Sequence, residues 1–357
     1  MLVYVGTPTA AESEGIYVYS LDGETGALEP VTEFAGIDNP TYLTLHSQGN
    51  YLYAVNEVSD FEERETGGVT AFALDPETGA LTLLNQQSSE GPGPCYISVD
   101  ETGRFALVAN YSGGSVCILP IEEDGTLAPA SDFVQHTGSS VNPRRQAGPH
   151  AHSIQPDPTN RYAFAADLGL DKLLIYKLDL DEGKLEPNDD PWAELEPVSG
   201  PRHFAFHPNG EYVYVITELG NTIVAFSYDE EQGALEEIET VSALPEGFED
   251  TSYCADIHFL PSGKFLYGSN RGHDSIVIFA VDEETGKLTY VDHESTQGEI
   301  PRNFCIDPSG EFLLAANQDT DNIVSFRIDQ ETGELTPTGY QASVSMPVCL
   351  KVLPPSP

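Results

Sequence analysis

Basic residues are scarce in this chain: 15 Lys and Arg stand against 58 Asp and Glu, and only six of the 15 are Lys. A formal net charge of -43 excludes nucleic acid and anionic membranes as partners of the bulk surface, because both repel a polyanion. The acids are spread along the whole sequence, so in dilute buffer the surface must repel itself. In molar salt the Debye length falls to about 3 Å and that repulsion is screened. A halophilic origin is therefore expected.

Other absences narrow the reading further. No apolar run approaches the roughly 18 residues of a membrane-spanning helix, and the opening MLVYVGTPT enters a strand without a charged leader or a long apolar segment. A cytoplasmic protein is expected. The five Cys, at 95, 117, 254, 305 and 349, are odd in number and lack Cys-x-x-Cys spacing, which argues against a disulfide framework or a zinc site. Cys95, Cys254, Cys305 and Cys349 fall at or near the starts of apolar strands, where a small buried thiol packs well. There is no Gly-x-Ser-x-Gly elbow, no Walker loop, and no Cys and His pairing that suggests a nucleophile. Chemistry here should be water activation or proton transfer without a covalent intermediate, needing no cofactor and no metal. His150 and His152 are a weak metal pair, since no compact third ligand accompanies them.

What the chain has is repetition. An apolar strand, an acidic turn ending in Gly, then Leu and a second strand recur seven times, as in GVTAFALDPETGALTLL and SIVIFAVDEETGKLTYV. The turn glycines, Gly26, Gly79, Gly125, Gly183, Gly233, Gly286 and Gly333, are separated by 53, 46, 58, 50, 53 and 47 residues. Between these copies lies a second repeated phrase of strand, polar turn and strand, as in GPRHFAFHPNGEYVYVITE. Four short strands per unit of about 50 residues describe the blades of a β-propeller. The expected fold is all-β: one seven-bladed propeller over 1–357, with four antiparallel strands, A to D, per blade. Its seventh blade is composite, built from 1–35 and 343–354, so that both termini close the ring.

In such a blade the strand A entries and strand B exits share one face. Aligned on the A-to-B turn, the strand A slot holds Thr41, Cys95, His152, Arg202, Ala255 and Arg302, and the strand B slot holds Glu57, Tyr111, Leu168, Glu218, Arg271 and Gln318. Strand A is innermost, so these residues should ring the channel mouth. A chain with nine Arg thus commits three, Arg202, Arg271 and Arg302, to one opening. Cations gathered on an acidic protein would collect an anionic small molecule, although the same Arg could merely pair with Glu57, Glu218 or Asp256 and plug the channel. His150 and His152, two apart, should point the same way and could serve as a base, with a carboxylate fixing the tautomer. His203 alternates to the other side, so packing suits it as well as function; His258 is a lesser candidate, and Asp256 should lie nearer the mouth. Glu57, Asp256, Asn110, Gln318 and Arg302 complete the candidate substrate-binding set.

The phrases GPHAHS, GPRHFAFHPNGEYVYVITE, YCADIHFLPSGKFLYGSNR and IPRNFCIDPSGEFLLAANQ together resemble the seven-bladed propeller lactonase family, which includes the bacterial propeller-type 6-phosphogluconolactonases and the fungal carboxymuconate cyclase. The resemblance covers nearly the whole chain and is looser in the first blade, with its VNEVSDFEERETGG insertion. It implies a site of His152, with His150 beside it, Arg202, Glu218 and Arg271. It also implies a lactone hydrolase, foremost a 6-phosphogluconolactonase, with a carboxymuconate-type cycloisomerase or a non-enzymatic binding platform as alternatives. In the implied hydrolase His152 or His150 activates water, Glu218 orients it or relays the proton, and Arg202 and Arg271 hold the anion and stabilise the oxyanion. The expected partner is an anionic small-molecule substrate, and the expected state a monomer or weak homodimer.

Overall fold

The computed structural model describes residues 1–9 and 13–354. Residues 10–12, inside the expected closing blade, and 355–357, at the end of the expected single domain, lie outside the described residues. The described chain forms seven four-stranded antiparallel sheets and no helix. Six sheets are built from consecutive strands; the seventh runs Cys349–Leu353, Leu2–Gly6, Ile16–Leu21, Leu28–Phe34, so the carboxyl-terminal strand is its innermost member. Ring closure is the ladder from Leu2↔Leu353 to Gly6↔Cys349. Ser343, expected in this blade, instead ends the outermost strand of the preceding one, Leu335–Ser343.

The acidic turns are where sequence becomes geometry. Gly286 stands at φ 70°, and a Cβ there would meet the Tyr212 ring at 2.6 Å, so only Gly fits. In the same turn Asp282 accepts the backbone N–H groups of Glu284 and Thr285, which holds its exposed carboxylate below the usual range. The Gly286 carbonyl in turn accepts a hydrogen bond from the buried Tyr214 hydroxyl of the preceding blade at 2.7 Å. Tyr4 to Gly79, Tyr53 to Gly125 and Tyr267 to Gly333 repeat this latch. Between blades, alternating Val, Ile, Phe and Tyr of the inner three strands interdigitate into apolar clusters, while the outermost strands are half exposed.

Candidate active site at the channel mouth

Strand A does not start regularly. In blades two, three, four and six one extra residue is inserted opposite strand B, between Pro94 and Tyr96, Ala151 and Ser153, Pro201 and His203, and Pro301 and Asn303. Blade five has its irregularity between Cys254 and Ile257. The extra residues are Cys95, His152, Arg202 and Arg302, the slot picked out by the repeat. A bulge breaks the period of two and turns consecutive side chains toward one side. His203 therefore does not alternate away from Arg202: both line the same narrow cavity as His152, Cys95, Arg302 and Asn303, about 10 Å³ in volume.

Glu218 holds the cations together. Its carboxylate lies 3.2 Å from Nε of Arg202 and 2.8 Å from Nη2 of Arg271, and it accepts a hydrogen bond from Nη2 of Arg145 at 2.5 Å. Burial pushes the Glu218 carboxyl up, but Arg271, Arg202 and Arg145 outweigh it and hold it at about 2. It is a fixed anion and keeps no proton to relay near neutral pH. Burial, with repulsion from Arg271 and Arg302, brings Arg202 down to about 9. Arg202 also donates to the Ala255 carbonyl, and Arg271 to those of Tyr253 and Cys254. Arg302 has no carboxylate within ion-pair distance among the described residues, although it lines the cavity. The channel is thus not merely plugged by pairs: four guanidinium groups face two mouth carboxylates, Glu218 and Glu57.

His152 is buried, and burial together with Arg202 and His203 drives its pKa well below 6.5. It is neutral and able to accept a proton. Its ring packs edge-on against Tyr111 at 5.3 Å, whereas His150 stacks on the same tyrosine at 4.7 Å. Both rings touch Tyr111, but His150 does not line the cavity. Its backbone N–H is tied to Asp167, which also bonds the buried His136 at 2.6 Å. Cys95 brings its sulfur 3.7 Å from Nδ1 of His152, a pairing hidden by the 57 residues between them. Burial raises that thiol and it faces the His152 carbonyl, so it is protonated and a poor nucleophile. All five Cys are buried and free.

Above the narrow cavity the mouth widens to about 330 Å³, lined by Asn39, Thr41, Glu57, Arg302 and Gln318. Glu57 accepts the Thr41 hydroxyl at 2.5 Å and Gln318 donates to Asp319. Two expected substrate contacts are misplaced. Asn110 is fully buried and donates to Ser115 and to the carbonyl of Ser89, in the segment arriving from the preceding blade; Asn56, Asn270 and Asn317 bond Asp38, Ala243 and Thr296 in the same way, which is why the repeat carries Asn there. Asp256 lies deeper than the arginines: it is bonded to His203 and His258 and lines a separate cavity of about 360 Å³ on the far side of His203. The bulge explains this too, since Asp256 is level with His203 and not with Arg202. Arg145 was missed because it comes from an irregular loop. Its signal was the Arg144-Arg145 doublet ahead of GPHAH in a chain so poor in Arg.

The sequence pattern of the family described as "Lactonase, 7-bladed beta-propeller" matches residues 2–352. The chain is 43% identical over 304 residues to a Bacillus subtilis protein named 6-phosphogluconolactonase, covering 85% of this chain and 84% of that one. A Formosa agariphila protein of the same name is 39% identical over 311 residues, covering 85% and 86%. Among solved structures, the Pseudomonas aeruginosa periplasmic gluconolactonase PpgL superposes with a TM-score of 0.93 at 35% identity over the whole of both chains. That neighbour's compartment leaves the expected cytoplasmic location without support, and nothing in these likenesses bears on a halophilic origin. Among the described residues no helix is long and apolar enough to cross a membrane.

Proposed function

The chain belongs to the seven-bladed β-propeller lactonase family, and we propose that it hydrolyses a sugar lactone carrying an anionic group, 6-phosphogluconolactone being the best candidate. The relatives' names support lactone hydrolysis. The observation that carries the anionic substrate is the surplus of guanidinium at the mouth, with Arg302 unpaired among the described residues while Arg145, Arg202 and Arg271 share Glu218.

The sugar phosphate occupies the wider cavity beside Arg302, and the lactone carbonyl reaches the narrow one. Neutral His152 takes a proton from the attacking water, whose oxygen bonds to the carbonyl carbon. Arg202, buried beside it, stabilises the resulting oxyanion. Collapse of that intermediate breaks the bond to the ring oxygen, which receives the proton from His152, leaving a carboxylic acid and a free hydroxyl. Glu218 neither orients water nor passes protons; it spaces three cations that would otherwise repel one another.

The binding-platform alternative calls for an apolar patch at the mouth. Among the described residues, six of the nine exposed large apolar side chains, Val31, Leu83, Phe133, Trp192, Tyr290 and Tyr340, lie on the outermost strands of six different blades, and only Val141, Val198 and Tyr253 lie where segments enter strand A. The test is hydrolysis of freshly prepared 6-phosphogluconolactone beside unphosphorylated gluconolactone in molar KCl. The expected result is a phosphate-dependent rate that His152→Ala lowers by about 10²-fold or more. No acceleration by folded protein would overturn the reading and move attention to lactone formation from a carboxymuconate.

A further inference from the structure

Below the arginines, the channel holds a second polar layer that the hydrolytic scheme does not use. Asp256 is its centre, buried with both oxygens occupied. Oδ1 accepts from Nδ1 of His203 at 2.6 Å and from the Ile257 backbone at 3.0 Å; Oδ2 accepts from Nε2 of His258 at 2.8 Å and from the Asn303 amide. Four donors and no empty lone pair fix it as an anion.

His203 is buried too, wedged edge-on against Tyr42, Tyr96 and His152 at 5.9, 5.1 and 5.3 Å. It separates the mouth cavity from the one beyond it and lines both. A ring that donates from Nδ1 to a carboxylate while remaining neutral has a lone pair on Nε2. That nitrogen faces Nη1 of Arg202 at 3.4 Å. Among the described residues the only other acceptor of Nη1 is the Ala255 carbonyl, and Nε of Arg202, although 3.2 Å from Glu218, is not aligned to hydrogen-bond it. The guanidinium is therefore weakly steered by Glu218 alone. In the opposite tautomer, or as an imidazolium, His203 would turn an N–H against the guanidinium N–H and push Arg202 away from its place.

We propose that Asp256 and His203 are positioning residues: the carboxylate sets the His203 tautomer, and the bare Nε2 holds the Arg202 guanidinium where the oxyanion forms. The inference rests on the lactonase reading for its kinetic consequence, but its structural half can be tested without turnover.

Imidazole ¹⁵N NMR of the folded protein near neutral pH should show His203 protonated at Nδ1 and bare at Nε2, with Asp256→Ala abolishing that preference. An Nε2-protonated or doubly protonated His203 in the wild type overturns the proposal, whatever the enzyme does. In lactone kinetics, His203→Leu should lower kcat by about 10- to 100-fold with KM nearly unchanged, because an oxyanion contact is made only in the transition state. His203→Gln, which can offer an oxygen near the Nε2 position, should recover most of that loss. In an Arg202→Lys background His203→Leu should cost no more than about 2-fold, since residues acting as a unit are not additive. Equal losses in both backgrounds, or no rescue by Gln in variants with unchanged thermal unfolding, would reduce His203 to packing and overturn the proposal. A correct tautomer in a protein that turns over no lactone would support the Asp256–His203–Arg202 chain and sink the hydrolase reading.

Discussion

Burial and neighbouring charge have moved His152, Arg202 and Glu218 away from their behaviour in water, and the displacements define a working range. His152 acts as a base only when neutral, and burial with Arg202 beside it lowers its pKa well below 6.5. Acidification through 6.5 should therefore leave the rate intact, the fall coming only at clearly lower pH. Arg202 acts only as a cation and is brought down to about 9, so the rate should fall as pH rises past about 9. A pH profile of kcat/KM, corrected for spontaneous lactone opening, checks both limbs; a limb at 6.5 would mean that His152 is not the base. The repeat alignment could name His152, Arg202 and Arg302 because they occupy one slot in successive blades. It could not place His203, which strict alternation sends to the wrong side, nor set the depth of Asp256, because only the bulged backbone brings the two level with each other below Arg202. Arg145 and the Cys95 contact were illegible for another reason: one arises from a loop and the other from packing between blades.

Among the elements, the strand B tyrosines carry the joint between neighbouring blades. Tyr214→Phe removes a hydroxyl and leaves the Gly286 carbonyl without its buried partner. A loss of about 1 to 3 kcal/mol is expected in denaturant unfolding, with lactone kinetics unchanged because the latch lies on the face away from the mouth. The turn glycine and the aromatic it touches were both visible as repeating letters, but their contact was not: it joins residues about 72 apart, across a blade boundary that no local pattern marks. The repeating Asn at the end of strand B shows the converse error. Its proximity to the mouth in sequence suggested substrate, whereas its amide is spent on a carbonyl of the segment arriving from the preceding blade.

For the whole molecule, the excess of carboxylates makes stability a function of salt. Raising KCl from about 0.1 to 2 M should raise the thermal midpoint well beyond what an uncharged co-solute at equal osmolality produces, since the Debye length shrinks from about 10 Å to only a few ångström. An unchanged midpoint would dismiss the halophile expectation. Ring closure makes stability a function of the last strand as well: a chain lacking residues 349–354 leaves Leu2–Gly6 without its inner neighbour and opens the ring. Such a chain should lose cooperative unfolding by calorimetry, not merely shift its midpoint. That closing ladder has a mechanical meaning too. Leu2 sits opposite Leu353, so the two ends of the ladder nearest the chain termini leave the ring side by side. A pull applied to the two ends would load these hydrogen bonds one after another, like a zip, and never all at once in shear. The propeller should part at low force along this seam, inside the composite blade, before the apolar contacts between blades are loaded.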